Sequence, residues 1–333
     1  MDLTDKYSPP YVITNKVIDL VAEISEMVGS ISAWENMNAN PQLRRDNRVK
    51  TIHASLSIEN NSLSLDQVTA IINGKRVLGS PGDIQEVKNA FEAYEHLLTF
   101  NPYSVSDLLK AHELLMMGLV KEAGMFRRGG LGVFAGDRLV HMAPPASLVP
   151  QQIEELLQWV ENEAVHPLIK SCVFHYEFEF IHPFADGNGR MGRMWQTLLL
   201  SRWKTVFAWL PVETLIRERQ DEYYAVLGKS DSTASATPFI EFLLGTLRDT
   251  LRDVARTDQV NVQVSVQVRA VLAALGDETL SSNELMARVG LVHRGTFRKN
   301  YLQPAIDLGL VAMTVPDKPN SRNQKYYAVK KAF

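Results

Sequence analysis

Thiol chemistry is nearly absent from this sequence, whose 333 residues contain a single cysteine, Cys172. One cysteine allows no disulfide within the chain, which fits a reducing cytoplasm rather than a disulfide-stapled secreted fold. Neither sign of charge dominates. Against 38 acidic residues stand 35 basic ones, a formal net charge of −3, which argues against wholesale binding to nucleic acid or to an anionic membrane. Long apolar runs are also lacking. The most apolar stretch, residues 195–215, is broken by Arg202 and Lys204, so no membrane span is expected. Residues 1–14 have no apolar core of the signal-peptide type, and no internal repeat or low-complexity tract is found.

The chemistry that is present is concentrated in one run of twelve residues, His182-Pro183-Phe184-Ala185-Asp186-Gly187-Asn188-Gly189-Arg190-Met191-Gly192-Arg193. Upstream, Leu168, Ile169, Cys172, Val173, Tyr176 and Phe180 recur at near-helical spacing and predict a buried helix. Cys172 lies on its apolar face and reads as a small buried hydrophobe. Pro183 predicts the end of that helix at about His182, because the residue before a proline is pushed out of the α region. Downstream, Met191, Met194, Trp195, Leu198 and Leu199 predict a second amphipathic helix. Gly187-Asn188-Gly189 therefore sits in a loop that opens a helix, where free N–H groups and the positive helix end attract phosphate oxygens. Arg190 and Arg193 stand in the first turn as anion clamps. Asp186 is a hard oxygen ligand suited to Mg²⁺ that phosphates also hold. His182 has the basicity of a proton acceptor near neutral pH.

This run resembles the signature of the Fic (filamentation induced by cAMP) family, His-x-Phe-x-Asp/Glu-Gly-Asn-Gly-Arg-x-x-Arg, at every specified position. The resemblance implies a protein adenylyltransferase that moves AMP from ATP to a Ser, Thr or Tyr hydroxyl of a protein target, or of the chain itself, and releases pyrophosphate. It makes His182 the base, Phe184 the anchor of the loop in the core and Asp186 the Mg²⁺ ligand. It makes the stretch Gly187 to Arg193, with Asn188, Gly189, Arg190, Met191 and Gly192, nucleotide-binding. Removal of AMP, or transfer of another nucleotide, stays open on the same site.

Three further segments bear on this reading. Ser55 and Glu59 are four apart and share a helix face, with Asn60 suited to the left-handed position that ends a helix. On its own that is an ordinary polar face. Beside the first motif it resembles the family's inhibitory motif, Ser/Thr-x-x-x-Glu-Gly/Asn, which implies that Glu59 pairs with Arg193 and competes with phosphate. Gly124-Met125-Phe126-Arg127 followed by Leu131 to Pro145 has strand-like residues, glycines and a Pro-Pro end, which predict a hairpin over a loop. In the family this place is a flap over the nucleotide, with Val133, Phe134, Ala135 and Gly136 facing it. Tyr223 resembles a nucleotide-contacting tyrosine of the family and reads equally as a half-buried aromatic on a helix.

The expected fold is mainly α: a helical region over residues 1–103, a helical catalytic core with the hairpin flap over 104–250, and a linker with a small α+β module over 251–333. Within 281–333 nine Lys or Arg stand against three Asp or Glu, a local excess of +6. A capped helix at Ser281, a second helix over residues 293–308 and a hairpin around 316–323 follow the order of a winged helix. Arg294, Thr296, Arg298 and Lys299 are placed to meet DNA from its recognition helix, with Lys318, Arg322 and Lys325 on the wing. A regulator that acts through this module and senses nucleotide at the other site is the alternative of a different class, and a homodimer is the commonest arrangement to expect.

Overall fold

A computed structural model describes residues 7–29, 41–135, 138–263, 266–316, 318–319, 321 and 323–329, with the side chains of 133–141 and 256–266 left aside. Gly136 and Arg322 lie outside the described residues. The chain divides into two compact units at residues 254 and 255.

The first unit opens with helix α1 (Asn15–Gly29), which buries Val17, Leu20, Ile24 and Val28. Helix α2 (Pro41–Ile58) carries Ser55 near its C-terminal end. Helix α3 (Leu65–Ile72) starts in a capping box, in which the Ser64 and Gln67 side chains each satisfy the other's backbone N–H. Helix α4 (Pro81–Glu95) has Ser80 as its cap and Pro81 in its first turn, and α5 (Val105–Met116) is capped by Ser104. The antiparallel hairpin expected between 131 and 145 is present as β1 (Gly132–Ala135) and β2 (Arg138–Met142), with an irregularity between Val133 and Phe134. Then come α6 (Val149–Asn162), α7 (Pro167–Ile181), α8 (Asn188–Trp203), α9 (Val212–Glu218), α10 (Gln220–Thr233) and the greater part of the long α11 (Thr237–Gln263), which runs past residue 254.

Helices α7 and α8 are buried nearly all round and sit at the middle of one continuous apolar core, to which α1–α6 and α9–α11 all contribute. The helices before residue 103 thus share their core with the motif-bearing helices. Fully buried Phe174, Phe178, Met194 and Trp195 each contribute about 1.5–3 kcal/mol by leaving water. Cys172 is buried among them, and burial pushes its thiol up from the ordinary value. No helix among the described residues is long and apolar enough to cross a membrane.

The second unit contains α12 (Val266–Leu275), β3 (Leu280–Ser281), α13 (Ser282–Arg288), α14 (Arg294–Phe297), a π turn over Arg298–Leu302, α15 (Gln303–Asp307), β4 (Val311–Met313) and β5 (Lys325–Ala328). Its sheet is antiparallel with order β3-β5-β4, and Val268, Val271, Leu285, Phe297, Leu302 and Val311 form a core of its own. The single helix expected over 293–308 is interrupted by the π turn. Phe297 and Leu302, five residues apart, are both buried, a spacing that an α-helix would place well apart around its axis. The turn widens so that the Gln303 N–H reaches the Arg298 carbonyl, just before Pro304, which has no N–H to give.

Candidate active site

Helix α7 ends where Pro183 requires it to. His182 takes a left-handed conformation (φ 51°, ψ 61°) while its N–H still bonds the Phe178 carbonyl at 2.9 Å. A left-handed residue that is not glycine is strained, and such strain is held where surrounding contacts over-determine it. Arg127, at the stem of the hairpin, supplies those contacts. Its guanidinium donates to the carbonyls of His182 (2.7 Å), Gly129 (2.9 Å), Pro144 (2.6 Å) and Ile181 (3.2 Å). The His182 ring is fixed through Nδ1, which lies 3.1 Å from the Glu179 carbonyl. A carbonyl only accepts, so Nδ1 carries the proton and Nε2 is the basic nitrogen of the neutral ring.

The loop from Phe184 to Gly187 is clasped from both sides. Phe184 is fully buried and stacked on His112, with ring centroids 3.6 Å apart. His112 Nδ1 accepts from the Gly124 N–H at 2.9 Å and Nε2 donates to the Asp186 carbonyl at 3.0 Å. Burial lowers the His112 pKa to about 4, so the ring stays neutral and keeps this donor and acceptor arrangement. The Asn188 amide accepts from the Phe184 N–H (2.9 Å) and donates to the Phe184 carbonyl (2.8 Å). The Asn188 side chain is thus spent on the loop, which leaves its backbone N–H for an anion. The Met191 N–H is bonded to the Gly187 carbonyl. The N–H groups of Asn188 and Gly189 therefore stand at the helix start, where α-geometry offers no acceptor. Gly187, at φ 86°, makes that start possible, since a Cβ there would press on the Met116 sulfur.

Both arginines of the motif are gripped by N-terminal helices. Arg190 donates to Glu86 of α4 at 2.7 Å and to Asp186 at 3.0 Å. The other oxygen of Glu86 accepts from Asn61, just past α2. Arg193, almost fully buried, donates to the Ser55 hydroxyl at 3.1 Å, the Ser55 carbonyl at 3.0 Å and the Glu59 carboxylate at 2.7 Å. Burial alone would lower the guanidinium pKa, yet the facing Glu59 carboxylate and its neighbours hold it above the ordinary value. Glu59 follows α2 and keeps about 30 % of its side chain exposed. Asn60 beside it is left-handed at φ 66°, the helix-ending conformation expected of it. Gln220 of α10 steadies this end by donating to the Ile58 carbonyl at 3.1 Å.

These groups open on a cavity of about 850 Å³ whose walls include Glu59, Asn60, Gly132, His182, Asp186 to Gly189, Arg193, Tyr223, Tyr224 and Asp231. The expected site residues divide by where they fall. His182, Asp186, Gly187, Asn188, Gly189, Arg193, Glu59, Asn60 and Tyr223 line the cavity, whereas Ser55 lies behind it on Arg193. Tyr223 is buried in the wall, its hydroxyl 3.1 Å from His175 Nε2. Arg190, Met191 and Gly192 are not among the lining residues. Met191 packs in the apolar core, and Gly192 lies so close to Glu179 and His175 that a Cβ would meet them. Of the hairpin residues, the backbone of Val133, Phe134 and Ala135 forms β1, and their side chains are outside the described part. Asp186 is 57 % exposed, and its Oδ1 accepts from Gly187 and Arg190. Among the described residues, no group of three His, Cys, Asp or Glu gathers to hold a metal. His112 and Glu86 were not among the residues expected from sequence, and Arg127 was read there only as part of the hairpin segment.

The comparisons with known proteins agree on the kind of molecule. The Fic/DOC family profile matches residues 102–200, and that of the "Filamentation induced by cAMP protein Fic-like, C-terminal domain" matches 266–327. A crystal structure of a Fic family protein from Desulfovibrio desulfuricans G20 is 56 % identical, with 98 % of this chain and 100 % of that one covered at a TM-score of 0.75. The chain belongs to the Fic family.

Among other Fic structures, Fic-1 (residues 134–508) of Caenorhabditis elegans shares the fold at 20 % identity and a TM-score of 0.60, over 74 % of this chain and 72 % of that one. The protein adenylyltransferase fic-1 of C. elegans is 25 % identical over 238 residues, and the protein adenylyltransferase Fic of Drosophila mojavensis 27 % over 217. These matches cover 67 % and 62 % of this chain and 44 % and 41 % of the relatives, so the chain spans less than half the length of the curated relatives it matches. In this Fic chain the run from His182 to Arg193 lies inside the matched Fic/DOC region, while Ser55 and Glu59 precede it.

Proposed function

We propose that this Fic protein is a protein adenylyltransferase that moves AMP from ATP to a hydroxyl of a protein and is held in check by Glu59. The observation that carries the reading is the shared cavity, in which a basic imidazole nitrogen, a helix start with unbonded N–H groups and a buried arginine face one space. His182 Nε2 takes the proton of a Ser, Thr or Tyr hydroxyl as its oxygen bonds to the α phosphorus of ATP. The bond from that phosphorus to the bridging oxygen breaks, and pyrophosphate leaves. The backbone N–H groups of Asn188 and Gly189 stabilise charge on the phosphate oxygens, so catalysis rests on positioning and electrostatics.

Asp186 suits a Mg²⁺ ion that arrives with the nucleotide, since such an ion takes one or two protein carboxylates and fills its shell with phosphates and water. When bound, the ion neutralises charge on the phosphates. Arg193 is the γ-phosphate clamp, and at rest Glu59 holds the same guanidinium. Chemically similar anions compete for it, and the bound carboxylate keeps ATP from seating productively. The modified hydroxyl belongs to a protein partner or to the chain itself.

Labelled ATP with Mg²⁺ tests the reading. Wild type is expected to incorporate label weakly and Glu59→Gly strongly. Label that persists in His182→Ala overturns the base assignment, and no gain in Glu59→Gly overturns the inhibition.

A further inference from the structure

The second unit carries a basic face on its helical segment. Segment 294–307 is one helical path whose inner side is Phe297, Leu302 and Ala305, all buried, while Arg294, Arg298 and Lys299 are exposed on its outer side. Arg294 and Arg298 are four apart, so they stand on one face about 6 Å apart along the axis. The π turn keeps Phe297 and Leu302 both in the core, and so keeps the basic positions outward.

The neighbouring acids are committed elsewhere. Glu278 pairs with Arg288 at 2.8 Å, Glu284 completes the capping box with Ser281, and Asp307 accepts from Gln303 at 2.9 Å. Among the described residues Arg294, Arg298 and Lys299 have no carboxylate partner. An uncompensated cationic helix face on a chain of net charge −3 is a localised feature, not a by-product of overall composition. The next hairpin adds Lys318, also exposed.

We propose that this face binds duplex DNA, the segment lying in the major groove with Arg294, Arg298 and Lys299 on phosphates and base edges. A groove accepts a helix of this size and presents phosphates to its whole width, whereas an acidic peptide would meet only part of the face.

The test is fluorescence anisotropy of a labelled mixed-sequence duplex with the full chain, from about 50 to 200 mM salt. Wild type binds at low salt, and its log affinity falls against log salt with a slope of roughly −3 for three or more phosphate contacts. Arg294→Glu with Arg298→Glu, at exposed positions whose replacement leaves the core intact, lowers affinity at least about tenfold and flattens the slope by roughly two. Saturating ATP with Mg²⁺ leaves binding unchanged, because the nucleotide cavity takes no part. Absence of binding at low salt overturns the proposal. So does equal affinity of the double variant, competition by ATP, or binding to anionic lipid vesicles but not to duplex.

Discussion

A carboxylate oxygen of Glu59 stands in the space that a side chain on residue 189 would need. A Cβ built on Gly189 meets that oxygen and comes within 3.0 Å of the Arg193 guanidinium. The glycine at the start of α8 is therefore the seat of the Glu59–Arg193 pair, and the same seat lies beside the N–H groups read as the anion site.

Gly189→Ala should separate these relationships. In the wild-type background the methyl pushes Glu59 off Arg193, so the thermal midpoint falls. In Glu59→Gly the methyl meets only the movable tip of Arg193, and alanine is favoured over glycine in a helix by about 1 kcal/mol. The midpoint there should hold or rise. Equal shifts in the two backgrounds, measured by calorimetry, contradict the seat.

Glu59→Ala should make the protein respond more to nucleotide. If Glu59 competes with phosphate for Arg193, its removal tightens ATP binding, and each tenfold is about 1.4 kcal/mol of added stabilisation, or roughly 3–6 °C for a unit of this size. Scanning fluorimetry with and without Mg²⁺ and ATP measures it. The same ligand-induced shift in both proteins removes the competition.

Acid stability should depend on three buried groups. Burial lowers His112 to about 4 and His175 to about 3, from 6.5. Their contribution is intact above pH 6.5 and is lost as pH falls through those values, because only the unfolded chain takes up the protons. Glu177, raised by burial from 4.5 to about 7, acts with the opposite sign. Its contribution is intact below pH 4.5 and lost as pH rises through 7. Wild type should be less stable in urea at pH 5 than at pH 7, and Glu177→Gln, which keeps an acceptor for the Tyr7 hydroxyl, should steepen that fall. An unchanged pH dependence in the variant contradicts the assignment.

Asn188→Ala should cost about 2–4 kcal/mol, since it leaves the buried N–H and carbonyl of Phe184 without partners. Urea unfolding gives the number, and a loss well under 1 kcal/mol would mean that water replaces the amide.

The geometry of the candidate site was legible in sequence where its parts are contiguous. Pro183, the glycines and the apolar spacing on either side dictate a helix, a turn and a helix start, and phosphate chemistry demands its groups within one such turn. The Ser55 and Glu59 pair was legible only beside the first motif, and Glu59 stands in the turn just past the helix that carries Ser55. Residues whose partners come from far along the chain were not. His112 reaches Asp186 across 74 residues, Arg127 reaches His182 across 55, and Glu86 meets Arg190 across 104. Each is a single residue with no local pattern, and only the packed core brings it to its partner. Asn188 was read with the anion loop, whereas its side chain closes the turn. The π turn is likewise set by which residues the second core buries and not by local propensity.

Arg127 joins the stem of the hairpin to the turn that carries His182, with one guanidinium on carbonyls from both. The two are therefore tied to each other through one side chain. A polypeptide that paired with the hairpin would also be tied to the backbone beneath the imidazole, and this joint would set its distance to Nε2. On the proposed transferase reading, the register in which a target met the hairpin would decide which of its hydroxyls came within reach of that nitrogen.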